Sequence, residues 1–251
     1  MTSEEAGRKL RYDAFYDEAR QIAEKLAEEH GGSLEDFSEH IRIDVAHNAD
    51  DQAETILFRV LRGTGTDGLA GIAYERKERG FSVIRPILDI PRKEIEEYCR
   101  EHDLSPVEDH TNHQSIYTRN KIRLELLPEL EKEYNENVRG ALLRLGKIAA
   151  SDSDYLQQCA EEALQEFLRE TSSDEVVLER DGLAGIHEAL RHRILLQSFA
   201  RLGLASDISA ERIAAADRII EKKQAPKTVE FPRGYRVTVE GGLVHICAPK
   251  K

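Results

Sequence analysis

The sequence contains no tryptophan, and phenylalanine and tyrosine bring its aromatic share to only 6%. Such a low share argues against a large base-stacking surface of the kind used to bind single-stranded nucleic acid. The three cysteines, Cys99, Cys159 and Cys247, lie far apart and form neither a C-x-x-C pair nor a Cys/His pattern with zinc spacing. We therefore expect ordinary thiols here, not a disulfide framework or a metal centre.

Long apolar runs and an excess of positive charge are also missing. No stretch approaches the roughly 18 consecutive apolar residues of a membrane span, and the first residues lack the basic and apolar regions of a signal peptide. We therefore expect a cytoplasmic protein with no membrane partner. The 48 acidic residues outnumber the 36 basic ones, and the formal charge of −12 argues against a protein that coats nucleic acid by charge alone. It does not exclude local basic patches.

The 251 residues, 40% of them hydrophobic, suffice for one or two folded domains. Residues 1–30 have the helical period, and Gly31-Gly32 is expected to end that helix. Strands over 41–46 and 81–84 alternate with helices over 50–62 and 91–102, an order that predicts βαβ units and a parallel sheet. Two clear strands are too few for a complete doubly wound sheet, so the domain is expected to begin in its middle.

The second half of the chain has a different order of predicted elements, with helices first and a β-meander at the end. We place a soft boundary near residues 150–170 and expect one domain over 1–150 and another over 151–251. The expected elements are helix over 119–169, a strand over 175–179, helices over 183–202 and 209–223, and a β-meander with strands over 228–231, 235–240 and 243–248.

The sharpest chemical signal follows the first strand, where His47 precedes the adjacent pair Asp50 and Asp51, with Glu54 one helical turn later. Open parallel sheets bind ligands at this end of their strands. The acidic residues could hold Mg²⁺ beside a nucleotide or orient an amine nucleophile. The alternative is structural, because a D-x-x-E helix start with acids in its first turn suits the helix dipole. That alternative leaves His47 and the doubled aspartate unexplained.

A second signal is basic. Arg119 and Arg123 lie one turn apart on a predicted helix, with Asn120 between them, and both can fork onto phosphate or carboxylate. The preceding polar loop, which includes Asp109 and Asn112, could position a ligand or only cap this helix. The alternative for the arginines is a solvated face paired with a neighbouring glutamate.

Two weaker signals remain open. A glycine-rich loop that starts at Arg62 follows a helix and not a strand, so it is not a Walker-type phosphate loop; turns and a helix cap explain it equally well. In the second half, basic residues could meet a nucleic-acid backbone or be ordinary surface charge. They are Arg191, Arg193, Lys222, Lys223, Lys227, Arg233 and Arg236.

These motifs, in this order, resemble those of bacterial tRNA(Ile)-lysidine synthetases. The similarity is strong over about residues 4–156 and weaker, but in register, to residue 248. It rests on residues 8–12, 47–55, 61–71, 85–88, 108–112, 119–123 and 126–128.

The resemblance implies a partial Rossmann-like parallel sheet of the adenine nucleotide alpha hydrolase type, followed by a helical and small α+β domain that binds tRNA. It implies that ATP, with Mg²⁺, adenylates the C2 oxygen of the wobble cytidine of tRNA(Ile), and that the ε-amine of free L-lysine then displaces AMP. It places His47, Asp50, Asp51 and Glu54 in the catalytic pocket, with Asp51 as a candidate Mg²⁺ ligand. The residues implied to bind ATP or tRNA are Arg62, Arg85, Asp109, Asn112, Arg119, Asn120 and Arg123.

One departure from the family is severe. The S-G-G-x-D-S loop, whose backbone amides cradle the phosphates of ATP, does not occur in these 251 residues. We therefore expect the activity to belong to a longer protein and this chain alone to be inactive. The alternatives are a non-catalytic tRNA-binding remnant or partner subunit, and a sulfur-transferring tRNA modifier, which the lack of a cysteine pair disfavours. The oligomeric state stays open, with a homodimer as one alternative.

Overall fold

The computed structural model describes residues 3–106, 118–222 and 227–249. The chain divides into two compact units, residues 1–150 and 151–251. Across the three described ranges, we find no helix with both the length and the apolar character needed to cross a bilayer.

The first unit opens with a long helix that ends where the sequence predicts. Gly31 has φ +70° and donates its N–H to the carbonyl of Ala27, which closes the last turn with a glycine in the left-handed region. The elements of this unit are α1 (Ser3–His30), α2 (Leu34–Ser38), β1 (Arg42–Asp44), α3 (Ala49–Leu61), α4 (Thr66–Leu69), β2 (Glu75–Glu78), β3 (Phe81–Ile84), α5 (Arg92–Glu101), α6 (Thr118–Lys121), one turn of π-helix (Ile122–Leu126), α7 (Leu127–Glu133) and the first part of α8 (Val138–Phe167).

The sheet of this unit has three strands in the order β1-β3-β2. The predicted parallel pairing is confirmed for β1 and β3, in which Asp44 lies opposite Ile84. An all-parallel sheet is wrong, because β2 pairs antiparallel with β3 through a turn at Arg79 and Gly80, both with positive φ. The sequence did not predict β2, because its four residues are all charged and show no apolar alternation. Charged side chains are typical of an edge strand.

Helix α1 covers this small sheet. Its apolar stripe packs on the buried side chains of β1 and β3, so the strands have an apolar layer on this side. The buried residues of this cluster are Tyr16, Ala19, Ala23, Ile43, Phe81 and Val83.

The second unit is a five-stranded antiparallel sheet with helices packed on its buried side chains. The strand order is β4-β5-β8-β7-β6, so the predicted meander is confirmed. The predicted helix over 119–169 is wrong at two places: residues 134–137 interrupt it, and it ends at Phe167, where β4 begins. The elements are β4 (Leu168–Thr171), β5 (Glu175–Glu179), α9 (Arg180–Gly185), α10 (Glu188–Arg201), α11 (Ala210–Glu221), β6 (Lys227–Glu230), β7 (Arg236–Glu240) and β8 (Leu243–Cys247).

Candidate active site

The candidate site forms where α3 begins, beyond the carboxyl end of β1. Asn48 caps the helix, and its Oδ1 accepts the backbone N–H groups of Asp50 at 3.0 Å and Asp51 at 3.2 Å. Asp51 completes the capping box, because its Oδ2 accepts the N–H of Asn48 at 3.1 Å. Asp51 therefore has a structural part in the helix start, but in a capping box that begins at Asn48; the predicted D-x-x-E start from Asp51 to Glu54 is wrong. This part uses only one of the two carboxylate oxygens of Asp51.

The other oxygen of Asp51 joins a cluster of four charged side chains. Asp51 Oδ1 lies 3.0 Å from Nη2 of Arg123 and 3.3 Å from Nη2 of Arg119. Glu54 Oε1 accepts from Arg123 Nε at 2.6 Å, and Oε2 accepts from Arg123 Nη2 at 2.9 Å and from Arg119 Nε at 3.3 Å. We call Asp51, Glu54, Arg119 and Arg123 the ion-pair quartet. It unites the two sharpest motifs of the sequence.

The four side chains of the quartet differ in how deeply they are buried. The side chain of Glu54 is 1% exposed, that of Asp51 17%, and those of Arg123 and Arg119 23% and 31%. Burial alone would lower the pKa of Arg123, but its hydrogen bond to Glu54 and the attraction of the acidic side chains raise it overall. The four charges cancel, so Glu54 is stabilised as a buried carboxylate by two guanidinium groups.

His47 lies beside the quartet with a partly buried ring. Its Nδ1 is buried and has no hydrogen-bond partner among the described residues. Burial lowers the pKa of His47; the charge of Asp51 opposes this shift, and the positive charges of Arg85 and Arg119 add to it. The imidazole is therefore neutral at pH 7 and can accept a proton.

Asp50 forms its contacts outside the quartet. Its Oδ1 lies 2.7 Å from Nη1 of Arg139 in α8, and its Oδ2 accepts the backbone N–H of Arg92 at 2.8 Å. Because the residue before α5 is Pro91, which offers no side-chain cap, Asp50 caps that helix from 42 residues away. The structure thus separates the adjacent aspartates, and the catalytic role of Asp50 stays a prediction.

The remaining predicted ligand-binding residues are dispersed. Arg85 is buried just after β3, whereas Arg62 is exposed, with its guanidinium carbon 5.2 Å from the centre of the Phe58 ring. Asn120 is partly buried between the two arginines of the quartet. The other two, Asp109 and Asn112, lie outside the described residues.

The glycine-rich loop is held by two residues that the sequence analysis missed. Gln52 accepts the N–H of Ile72 at 2.6 Å, and Arg59 donates to the carbonyl oxygens of Gly68 at 2.9 Å and Gly71 at 2.6 Å. A Cβ on Gly71, which has φ +71°, would lie 2.4 Å from Gln52 Oε1. The spacing of Gln52 and Arg59, two helical turns apart on α3, was the available signal.

In the second unit, the structure contradicts the prediction that Arg191 and Arg193 could meet a nucleic acid. They are 4% and 8% exposed. Arg191 donates to Asp217 at 2.5 Å and to Glu221 at 2.7 Å, so it ties α10 to α11. The prediction failed because the sequence shows charge but not the acidic partner on the next helix. Of the other basic residues, Lys223 lies outside the described part of the chain.

With this geometry established, comparison with known proteins identifies the family. Residues 1–130, more than half of the chain, match the PP-loop domain. The chain belongs to the PP-loop family.

Relatives named tRNA(Ile)-lysidine synthase are similar to this PP-loop chain over most of its length. The protein of Clostridioides difficile (strain 630) is 36% identical over 94% of the chain, and that of Clostridium tetani 35% identical over 98%. The protein of Nostoc sp. (strain PCC 7120) is 33% identical over 79% of the chain. The chain spans about half the length of the two clostridial relatives, 47% and 48%, and 61% of the Nostoc protein.

Proposed function

We propose that this chain contributes to a tRNA(Ile)-lysidine synthetase, which uses ATP to join free L-lysine to C2 of the wobble cytidine of tRNA(Ile). The observation that carries the proposal is the ion-pair quartet at the strand end, beside a neutral His47. It offers cationic groups for a polyanionic substrate and carboxylates for an ammonium group in one place. The names of the similar relatives agree with this chemistry.

The proposed function also assigns a role to each unit. We assign the parallel pair β1 and β3 to a Rossmann-like sheet of the adenine nucleotide alpha hydrolase type, and residues 1–150 to the C-terminal part of the synthetase domain. We assign residues 151–251 to tRNA binding. Cytoplasmic location and the absence of a membrane partner belong to the same proposal.

The arginines of the quartet bind the phosphates of ATP or of the target nucleotide. Arg123 and Arg119 present Nε and Nη2 to the carboxylates, which is the same fork that binds a phosphate. Glu54 is too buried to reach a ligand without displacing them, so it acts as a positioning residue for both guanidinium groups.

Of the two adjacent aspartates, Asp51 is the one that fits a Mg²⁺ ion. Its carboxylate is the hard oxygen ligand that Mg²⁺ prefers, and the described residues place only the N–H of Asn48 on Oδ2, so a lone pair remains there. A Mg²⁺ ion held at Asp51 would neutralise charge on the triphosphate. Asp50 is engaged with Arg139 and Arg92, so we assign it a supporting part in the pocket, held by α5 and α8.

Proton transfer falls to the remaining groups. Adenylation joins the cytidine C2 oxygen to AMP and releases pyrophosphate. The ε-nitrogen of lysine must then lose a proton to form its bond to C2 as the C2–O bond to AMP breaks. Neutral His47 accepts the proton.

The assay uses tRNA(Ile), ATP, Mg²⁺ and radiolabelled lysine. Two proteins are compared: the 251-residue chain, and a chimera that joins it to a segment that carries the S-G-G-x-D-S loop. We expect incorporation by the chimera and little or none by the chain alone, because the S-G-G-x-D-S loop is not among its residues. Incorporation by the chain alone would refute the need for that loop.

Variants of the chimera test the site itself. Glu54→Gln should abolish incorporation, since the arginines lose a charged anchor, whereas Glu75→Gln on the exposed edge strand should retain it. Full activity of Glu54→Gln would remove the quartet from the reaction. A chimera that binds tRNA(Ile) but never incorporates lysine would favour the non-catalytic alternative.

A further inference from the structure

Two neighbouring helices of the second unit bring together three side chains that can bind a metal ion. Glu188 and His192 lie four positions apart on α10, so they share one face of that helix. Asp217 comes from α11. The ligand atoms of the three side chains all lie within 4.8 Å of one another. We call Glu188, His192 and Asp217 the α10–α11 cluster.

The imidazole of His192 brings an unsatisfied nitrogen to this cluster. Its Nε2 is buried and has no hydrogen-bond partner among the described residues. The Oδ2 atom of Asp217 lies 3.6 Å away, which is beyond hydrogen-bond distance. His245 on β8 shows the ordinary pairing of a histidine with a carboxylate, because its Nδ1 lies 2.9 Å from Oε1 of Glu175. His192 and Asp217 are too far apart for such a bond.

The same separation suits two ligands of one ion. Zinc binds histidine nitrogen and carboxylate oxygen at about 2.0–2.2 Å, so two of its ligands in a tetrahedral arrangement lie about 3.4 Å apart. Nε2 of His192 and Oδ2 of Asp217 are already close to that separation. Asp217 is buried, whereas Glu188 is exposed, so the cluster has a solvent side from which an ion can enter.

Arg191 holds the carboxylate of Asp217 in place for this role. It donates from Nε to Oδ1 at 2.5 Å and from Nη2 to Oδ2 at 3.2 Å. Within the described ranges no other residue donates to Asp217, so a lone pair of Oδ2 remains for an ion. Nη2 of Arg191 is shared with Glu221 at 2.7 Å, so one guanidinium group serves two carboxylates. Ligands of bound metal ions are commonly oriented by such outer partners.

We propose that the α10–α11 cluster binds a divalent transition-metal ion of the Zn²⁺ type. An imidazole with two carboxylates suits Zn²⁺ better than Mg²⁺, which prefers oxygen ligands alone. Three protein ligands leave a fourth position for water. No cysteine takes part, and the site uses none of the residues of the ion-pair quartet. It therefore does not rest on the proposed function.

Calorimetric titration of the 251-residue chain with Zn²⁺, in an excess of Mg²⁺, tests the site. The Mg²⁺ occupies sites that have oxygen ligands alone. We expect one equivalent of Zn²⁺ to bind, and His192→Gln to weaken this binding at least about 100-fold, since loss of an outer partner alone costs about 10–100-fold. Glu188→Gln removes the exposed ligand and should weaken binding about tenfold. Asp217 is left unaltered, because its loss would also leave the buried Arg191 without its partner.

Two matched controls alter the same types of side chain in the same unit. His245→Gln removes the imidazole that pairs with Glu175, and Glu211→Gln changes an exposed glutamate in the first turn of α11. Both should leave the affinity for Zn²⁺ within about twofold, because sites that share no partner act independently. Circular dichroism of each variant checks that it is folded.

Each outcome decides the proposal. Stoichiometric binding that depends on His192 and Glu188 but on neither control residue supports it. A chain that binds no Zn²⁺ would overturn it, as would binding that survives His192→Gln. Binding that His245→Gln weakens as much as His192→Gln does would place the ion elsewhere and also overturn it. If His192→Gln failed to fold, unchanged binding by Glu188→Gln, whose altered side chain is exposed, would refute the site.

Discussion

Two adjacent aspartates show how little a residue's chemistry is fixed by its type. Asp50 and Asp51 differ by one position on α3, and a rotation of about 100° sends their carboxylates to different partners. Asp51 pairs with Arg123 in the quartet, whereas Asp50 binds Arg139 and the start of α5. The sequence singled out both, but only contacts more than 40 residues away distinguish them.

His47 gives a prediction at the residue scale. The folded state holds this imidazole neutral by burial, whereas the unfolded chain protonates it near its ordinary pKa of about 6.5. Below that pH the unfolded state binds the extra proton, so the free energy of unfolding should fall as the pH drops from 7.5 to 5.5. Urea denaturation at both pH values should show a smaller loss for His47→Gln than for the unaltered chain.

The matched control for this prediction is His40→Gln, which alters an exposed histidine close to β1. It should keep the pH dependence of the unaltered chain. Equal losses in all three proteins would mean that His47 does not contribute to the acid sensitivity.

Asp50 gives a second prediction at the residue scale. Asp50→Ala removes both the cap of α5 and the ion pair with Arg139, so we expect it to lower the free energy of unfolding by about 1–2 kcal/mol. Asp50→Asn keeps an oxygen that can accept the N–H of Arg92 and should be less harmful. Urea denaturation of both variants tests the order, and equal stability of Asp50→Ala and the unaltered chain would contradict the tertiary cap.

At the scale of elements, the first part of α8 depends on close contact with α3. Gly146 is buried, and a Cβ there would lie 2.5 Å from Cδ1 of Ile56 and 3.3 Å from the carbonyl oxygen of Leu69. Only a glycine lets the two helices approach to this distance. The same helix carries Arg139, so this contact also fixes the partner of Asp50.

Gly146→Ala tests this contact. We expect it to lower the free energy of unfolding by about 1–3 kcal/mol, because Ile56 is fully buried and has little room to move. Gly7→Ala in α1 is the control; nothing lies within 4 Å of its Cβ position, so it should be neutral or stabilise by up to about 1 kcal/mol. Thermal or urea denaturation of both variants gives the sign of each change in the free energy of unfolding. A stabilising Gly146→Ala would refute the close contact.

At the scale of the whole molecule, the second unit has a core of its own. Twenty buried apolar residues, all between Ala160 and Ile246, form one cluster around Phe199. The first unit has a smaller cluster between α1 and its three-stranded sheet. A core of that extent, closed by a five-stranded sheet, is typical of a segment that folds by itself.

We therefore predict that residues 151–251, produced alone, unfold cooperatively on heating, as followed by circular dichroism. Phe199→Ala in this fragment should cost about 3–5 kcal/mol and abolish the transition, because the ring is fully buried. A fragment without a cooperative transition would show that its core needs the rest of the chain.

Much of the fold was predictable because it depends on local signals. The glycine stop after α1 and the meander of the second unit both follow from residues within a few positions of each other. The edge strand β2 was missed because its charges carry no period, and the end of α8 was missed because strand pairing overrides the helical pattern of residues 168–171. In both cases a partner distant in sequence decides the structure.

The sequence by itself determined the family, the two charged motifs and their placement after a strand and on a helix. Only the tertiary structure decided that Arg119 and Arg123 meet Asp51 and Glu54, across separations of 65 to 72 residues. It also decided that Asp50 pairs with Arg139 and that Arg85 is buried. The physical reason is that charge and capping are local properties, whereas burial and ion pairing depend on which distant elements pack together.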